Sequence, residues 1–235
     1  MAPWIVLPTY NEAANVQRVA RAARAALPGA RVLVVDDGSP DGTADLAEAV
    51  DGVDVLRRHA KQGLGAAYVA GFAHALGQGA SAVFEMDADG SHDPADLPRL
   101  YAAITAGAAV AIGSRYVAGG GVENWSLLRR TVSRSGCLYA RAVLRVPVRD
   151  LTGGLKCFRA DALDAIDYAT IRSRGYAFQV ELTYRALLRG LRVTELPIVF
   201  HEREHGQSKM TARIAIEAAW LVPLLRVSRR TQALR

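Results

Sequence analysis

Residues 84–94 read Phe84-Glu85-Met86-Asp87-Ala88-Asp89-Gly90-Ser91-His92-Asp93-Pro94, and the rest of the chain is arranged around them. Ala82, Val83 and Phe84 end an apolar run that predicts a buried strand. Asp87 and Asp89 follow at the strand's end, Gly90 permits a sharp turn, and Pro94 suits the first position of a helix. Residues i and i+2 of an extended chain point the same way, so both carboxylates can face one crevice. Side by side they repel unless a positive charge lies between them. A hard divalent cation meets that need: Mg²⁺ takes oxygen ligands at about 2.1 Å and commonly shares them with substrate phosphates. Asp-x-Asp alone is a weak signal. The other strand ends strengthen it.

Upstream, Ile5-Val6-Leu7 is a short strand stopped by Pro8, and Asn11 is placed to cap the helix that carries Val16, Val19, Ala20, Ala23 and Leu27. Arg31 to Val35 is a second strand, ending in Asp36-Asp37-Gly38-Ser39-Pro40-Asp41-Gly42-Thr43, where Asp36 reads as a turn residue. Val53 to Leu56 is a third, followed by a helix opening at Gly63-Leu64-Gly65. Ala109 to Ile112 is a fifth, ending in Gly113-Ser114-Arg115. Short strands alternating with helices predict an α/β fold with a Rossmann-like, doubly wound, mostly parallel sheet. Ligands of such sheets bind beyond the carboxyl ends of the strands. Four polar clusters fall there: Pro8-Thr9-Tyr10-Asn11-Glu12, Asp36 to Ser39, Asp87-Ala88-Asp89 and Gly113-Ser114-Arg115. Neither Gly-x-Gly-x-x-Gly after the first strand nor Gly-x-x-x-x-Gly-Lys-Ser/Thr is present, which disfavours a dinucleotide-dependent oxidoreductase and a P-loop nucleotidase.

The chain has 235 residues, 51% hydrophobic and 22% charged, enough for one large α/β core. Cys137 and Cys157 lack metal-site spacing and read as reduced intracellular thiols. The apolar part of the start is too short for a signal peptide, and no apolar run reaches membrane-spanning length. The net charge of +6 is concentrated late: from Arg213 onward five arginines face one acid, Glu217. An anionic partner is expected, a membrane surface rather than nucleic acid, since no nucleic-acid-binding motif is present.

Beyond residue 120 the strict alternation stops. Trp125 to Val146 predicts one helix bearing Arg129, Arg130, Ser133 and Arg134; the arginines suit a binding face or a solvated one equally. Asp150-Leu151-Thr152-Gly153-Gly154 is a turn in which Asp150 either caps or contacts substrate. Leu155 to Phe158 is strand-like, Phe178 to Leu188 helical, Arg192 to Phe200 a strand, and His201 to Lys209 a polar loop. Ala212 to Leu225 is a mostly apolar helix that either packs on the core or lies in a bilayer surface. The expected division is a catalytic domain over 1–210 and a C-terminal amphipathic membrane-interface segment over 211–235.

Taken together, the four strand-end clusters with Tyr116, the Asp150–Gly154 turn, Asn124-Trp125-Ser126 and Gly206-Gln207-Ser208-Lys209 resemble the family-2 inverting glycosyltransferases of GT-A fold. More narrowly they resemble the polyprenol (dolichol) phosphate mannose synthases, from Pro8 to Lys209. The resemblance implies inverting transfer of mannose from GDP-mannose to polyprenyl phosphate. Pro8, Tyr10, Glu12, Val35 and Asp37 would hold the guanosine. Asp87 and Asp89, with Ser91 where many relatives carry Gln, would hold Mg²⁺ or Mn²⁺ against the diphosphate, and Ala88 would offer backbone contacts. Arg203 and Lys209 would close over the diphosphate, and Arg115, Arg129 and Ser133 would grip the acceptor phosphate, with Asp89 central to turnover. A lipid phosphate is already anionic, so no general base is required, and His92 reads as a loop cap. The implied setting is peripheral, on the cytoplasmic face of the membrane, with a separate membrane-anchoring or downstream transferase partner. The rivals are UDP-glucose on the same lipid, and a saccharide acceptor, which would need Asp150 as base. A non-catalytic nucleotide-sugar-binding or membrane-scaffold protein is the third.

Overall fold

The computed structural model describes residues 1–171, 173, 175–202 and 220–227. Seven strands form the main sheet in the order β3-β2-β1-β4-β7-β5-β8. They are β1 Trp4–Thr9, β2 Arg31–Asp36, β3 Val53–Arg57, β4 Ala82–Glu85, β5 Val110–Ser114, β7 Lys156–Arg159 and β8 Val193–Pro197. All pairings are parallel except those of β7, which runs antiparallel between β4 and β5. A second, two-stranded sheet pairs β6 (Gly121–Val122) with β9 (Val199–Phe200).

The central strands are apolar on both faces because helices cover both. On β1 and β2, Val6, Leu33 and Val35 enter one core cluster, while Ile5, Leu7, Val32 and Val34 enter the other. The first cluster includes side chains of α3 (Leu64–Gly77), α5 (Leu127–Leu144), α6 (Ala160–Ile166) and α7 (Gly175–Leu188). The second includes α1 (Val16–Ala26), α2 (Thr43–Glu48) and α4 (Leu97–Thr105).

Four local expectations are corrected. Asn11 does not cap α1: it takes a left-handed turn conformation (φ 58°), and the N-cap is Asn15. His92 caps nothing, since the Ala95 N–H donates to Asp93 at the start of the following turn. The helix expected from Trp125 starts at Leu127, because the Ser126 hydroxyl accepts from the Arg129 N–H, leaving Trp125 in the loop. The strand expected over Arg192 to Phe200 is divided at Ile198, a buried residue packed on Gly113. There the chain leaves β5 and passes to β6.

Candidate active site

β1, β2, β4 and β5 run parallel to one another and deliver their carboxyl ends to one side, where the chain opens a cavity of about 230 Å³. Pro8, Tyr10, Glu12, Asp37, Asp87, Ala88, Asp89, Arg115, Arg129 and Ser133 all line it. Val35 and Ser91 do not, which corrects the contacts implied for them. Val35 is wholly buried and packs against Gly71 of α3. Ser91 is wholly buried too, and both its N–H (3.0 Å) and its hydroxyl (2.5 Å) donate to Asp89 Oδ1. Ser91 therefore aims a carboxylate. Arg203 and Lys209 lie outside the described residues.

On the acidic side, Gly90 at φ 79° makes the turn that brings Ser91 back to Asp89. Asp87 Oδ1 accepts a long hydrogen bond from the Tyr68 hydroxyl (3.4 Å). His92 Nε2 lies 3.7 Å from Asp87 Oδ2, and neither His92 ring nitrogen has a hydrogen-bond partner among the described residues. Gly154 supplies the room: a Cβ there would come within 3.0 Å of Asp87 Oδ2. Asp36 and Asp37 divide their work. Asp36 accepts from Thr9 Oγ1 (2.8 Å) and from the Ser39 N–H and hydroxyl, closing the β2 turn. Asp37 accepts from Arg58 and from the Gln62 and Gly63 N–H groups, which holds the 58–63 loop at the cavity's edge.

The cationic side is built on a buried ion pair. Arg115 Nε and Nη2 donate to the two oxygens of Asp150, both at 2.7 Å, and Nη2 also donates to Thr152 Oγ1 (2.9 Å). Burial pushes the Asp150 carboxyl up, but the Arg115 guanidinium overrides it and leaves the group below the ordinary carboxylate range. Asp150 is wholly buried. It positions Arg115 and is not placed as a base. One turn apart on α5, Ser133 Oγ receives the Tyr116 hydroxyl (2.7 Å), and Arg129 stacks on Trp125 at 4.1 Å while donating to Glu202 (2.7 Å).

Several lining residues carried no assigned role at sequence level. Lys61, in the loop after β3, sits 3.8 Å over the Tyr10 ring, and the strand-end rule could have found it. Trp125 was visible only as part of a motif. Gln179 lies in an apolar stretch of α7 and gave no signal; its Oε1 accepts from the buried Lys156 Nζ (2.7 Å). Lys156 faces Glu85 across the β4–β7 ladder, and burial draws both toward their neutral forms, Glu85 upward and Lys156 downward.

The family model of glycosyl transferase family 2 matches residues 4–167, the span that supplies both acids and both cavity arginines. The chain belongs to glycosyl transferase family 2. Among curated relatives of this family, it is 47% identical over 223 residues to a polyprenol monophosphomannose synthase of Mycolicibacterium smegmatis, covering 93% of this chain and 84% of that protein. It is 46% identical over 234 residues to an undecaprenyl-phosphate mannosyltransferase of Micrococcus luteus, covering 98% and 96%. Its fold is that of the GT-A glycosyltransferases. One solved relative in fold is the Mycobacterium tuberculosis glucosyl-3-phosphoglycerate synthase determined with Mn²⁺, UDP and glucosyl-3-phosphoglycerate. That match has a TM-score of 0.71 at 20% identity and covers 97% of this chain and 79% of that one.

Proposed function

We propose that this family-2 enzyme transfers mannose, with inversion, from GDP-mannose to polyprenyl phosphate, giving polyprenyl-phosphate-β-mannose and GDP. The observation that carries the reading is one cavity with carboxylates Asp87 and Asp89 on one side and Arg115, Arg129 and Ser133 on the other. The names of the two curated relatives support the acceptor class and the sugar.

The donor set fits a hard divalent cation: two carboxylates from one turn, with no larger His/Cys/Asp/Glu cluster among the described residues. Substrate diphosphate and water would complete the shell. Asp87 and Asp89 would hold Mg²⁺ or Mn²⁺, which when bound offsets charge on the departing diphosphate. Tyr10, Glu12, Asp37 and the Pro8 backbone are assigned to the guanosine, and Arg203 and Lys209 to the diphosphate. Arg115, Arg129 and the Ser133 hydroxyl orient the acceptor phosphate. One of its oxygens forms the bond to the anomeric carbon as the carbon–oxygen bond to GDP breaks, and GDP leaves with that electron pair. The phosphate needs no deprotonation, which agrees with an Asp150 buried against Arg115. The same reading sets the protein on the cytoplasmic face of a membrane, beside a separate membrane-anchoring or downstream transferase partner.

A transfer assay with polyprenyl phosphate, Mg²⁺ or Mn²⁺, and labelled GDP-mannose beside UDP-glucose tests this. Lipid-linked product from GDP-mannose alone is expected. Product from UDP-glucose alone would overturn the donor, and absence of any lipid product would overturn the acceptor. The Arg129–Glu202 pair supplies a second check. Glu202 rests on Arg129 where the acceptor phosphate is assigned, and both side chains are partly exposed. Exposed pairs are weak, so Glu202→Gln should lower the acceptor KM by roughly fivefold at most, with kcat unchanged. A raised KM would show that Glu202 helps Arg129 bind.

A further inference from the structure

Of the Gly113-Ser114-Arg115-Tyr116 run at the end of β5, Arg115 lines the cavity and Tyr116 does not. Tyr116 reaches across to α5 instead. Its hydroxyl donates to Ser133 Oγ at 2.7 Å, and Ser133 does line the cavity. Tyr116 therefore meets the cavity only through another side chain. The backbone that carries it is pinned: the Arg115 N–H donates to Asp150 Oδ2 (3.0 Å), on the same carboxylate that holds the Arg115 guanidinium. One buried ion pair thus fixes the arginine and the start of the tyrosine together. The guanidinium carbon lies 5.2 Å from the centre of the Tyr116 ring.

The direction of one proton decides what Ser133 can do. A serine hydroxyl has a single proton and two lone pairs. On a helix that proton can be spent on the carbonyl four residues back. Thr131 does this, donating to the Leu127 carbonyl at 2.9 Å. Ser133, two positions on, makes no such bond to Arg129 among the described residues, and its oxygen accepts from Tyr116. Burial pushes the Tyr116 phenol above its ordinary range, so it keeps its proton and stays a donor at neutral pH. A phosphate presents acceptor oxygens, so a hydroxyl that binds it must donate. Ser133 has its proton left to give.

We propose that Tyr116 is a positioning residue for the acceptor phosphate: its hydroxyl holds the Ser133 hydroxyl with the proton turned to a phosphate oxygen in the cavity. Tyr116, Ser133 and phosphate form a chain of hydrogen bonds in which each bond polarises the next. No proton is transferred along it. Arg115 and Arg129 supply charge, and the two hydroxyls supply direction. The chain also ties the two halves of the phosphate grip, since Tyr116 follows β5 and Ser133 sits on α5 one turn beyond Arg129. This inference rests on the acceptor assigned above.

A double-mutant cycle tests it. Acceptor affinity is read as the KM of a short-chain polyprenyl phosphate in transfer, and as its Kd by calorimetric titration with donor absent. Tyr116→Phe keeps the ring and removes only the donor, so both constants should rise roughly fivefold, the scale of one neutral hydrogen bond. The donor KM should stay within about twofold, and Tm should fall by no more than about 4 °C. Ser133→Ala removes the group that meets the phosphate and should raise both acceptor constants at least about tenfold. Added to Ser133→Ala, Tyr116→Phe should change them by less than about twofold, because Tyr116 acts through Ser133. Effects that multiply would overturn the proposal. So would a Tyr116→Phe protein that binds acceptor like the parent while Ser133→Ala does not, or one that loses donor and acceptor affinity equally. If Ser133→Ala itself bound acceptor like the parent, the acceptor assignment at Ser133 would fall, and the role of Tyr116 with it.

Discussion

Asp89→Asn should lower kcat at least about a hundredfold, the scale on which loss of charge stabilisation at a leaving group is felt. The amide keeps the shape of the side chain and an acceptor oxygen for the Ser91 N–H and hydroxyl, which now bond to Asp89 Oδ1. What it removes is one of two negative charges that would hold the cation against the diphosphate. The dependence on Mg²⁺ or Mn²⁺ should move to higher concentration, and saturating metal should not restore full turnover. Thermal stability should change little, because the turn at Gly90 and the Ser91 bonds remain. Full activity at the parent's metal concentration would remove Asp89 from the metal site.

Asp150→Ala should be the most damaging change to stability. It leaves the Arg115 guanidinium buried without its partner, a loss of about 3–5 kcal/mol. In a chain of this size that lowers Tm by roughly 10 °C. The pH dependence follows from the same pair. Asp150 titrates below its ordinary range in the folded protein, so its contribution is complete above about pH 4. It is lost as pH falls further, through the folded-state value. Arg115→Met/Asp150→Leu should recover much of the stability, since a buried ion pair can be replaced by apolar packing. It should not recover transfer, since Arg115 is then missing from the cavity. A stable Asp150→Ala protein that lost activity alone would restore Asp150 as a candidate base and reopen the saccharide-acceptor reading.

Much of the acidic half of the site was legible in the chain because its determinants are local. An apolar strand followed by Asp87-Ala88-Asp89-Gly90 declares both the strand and the turn, and the parallel-sheet rule places that turn beside the ends of β1, β2 and β5. Arg129 and Ser133 share the cavity because four residues is about one helical turn. Local pattern also misleads when a side chain has two ways to be satisfied. Ser91 could ligate or brace, and burial made it brace. Val35 ends a strand like its neighbours, yet the pleat turns it into the core.

The sequence by itself determined the α/β class, the parallel strands buried on both faces and the paired carboxylates. Each depends on the chemistry of consecutive residues. Only the tertiary structure decided that β7 enters antiparallel between β4 and β5, setting Lys156 opposite Glu85 and Gly154 against Asp87. It alone turned Asp150 from a turn residue into the counter-ion of Arg115, 35 positions away. It also showed that α5 buries Cys137, Ala140 and Leu144 and exposes Leu127, Leu128 and Leu138. Hydrophobic periodicity reports that a helix has an apolar face. Which neighbour covers that face depends on contacts between segments far apart in the chain, and no local pattern encodes them.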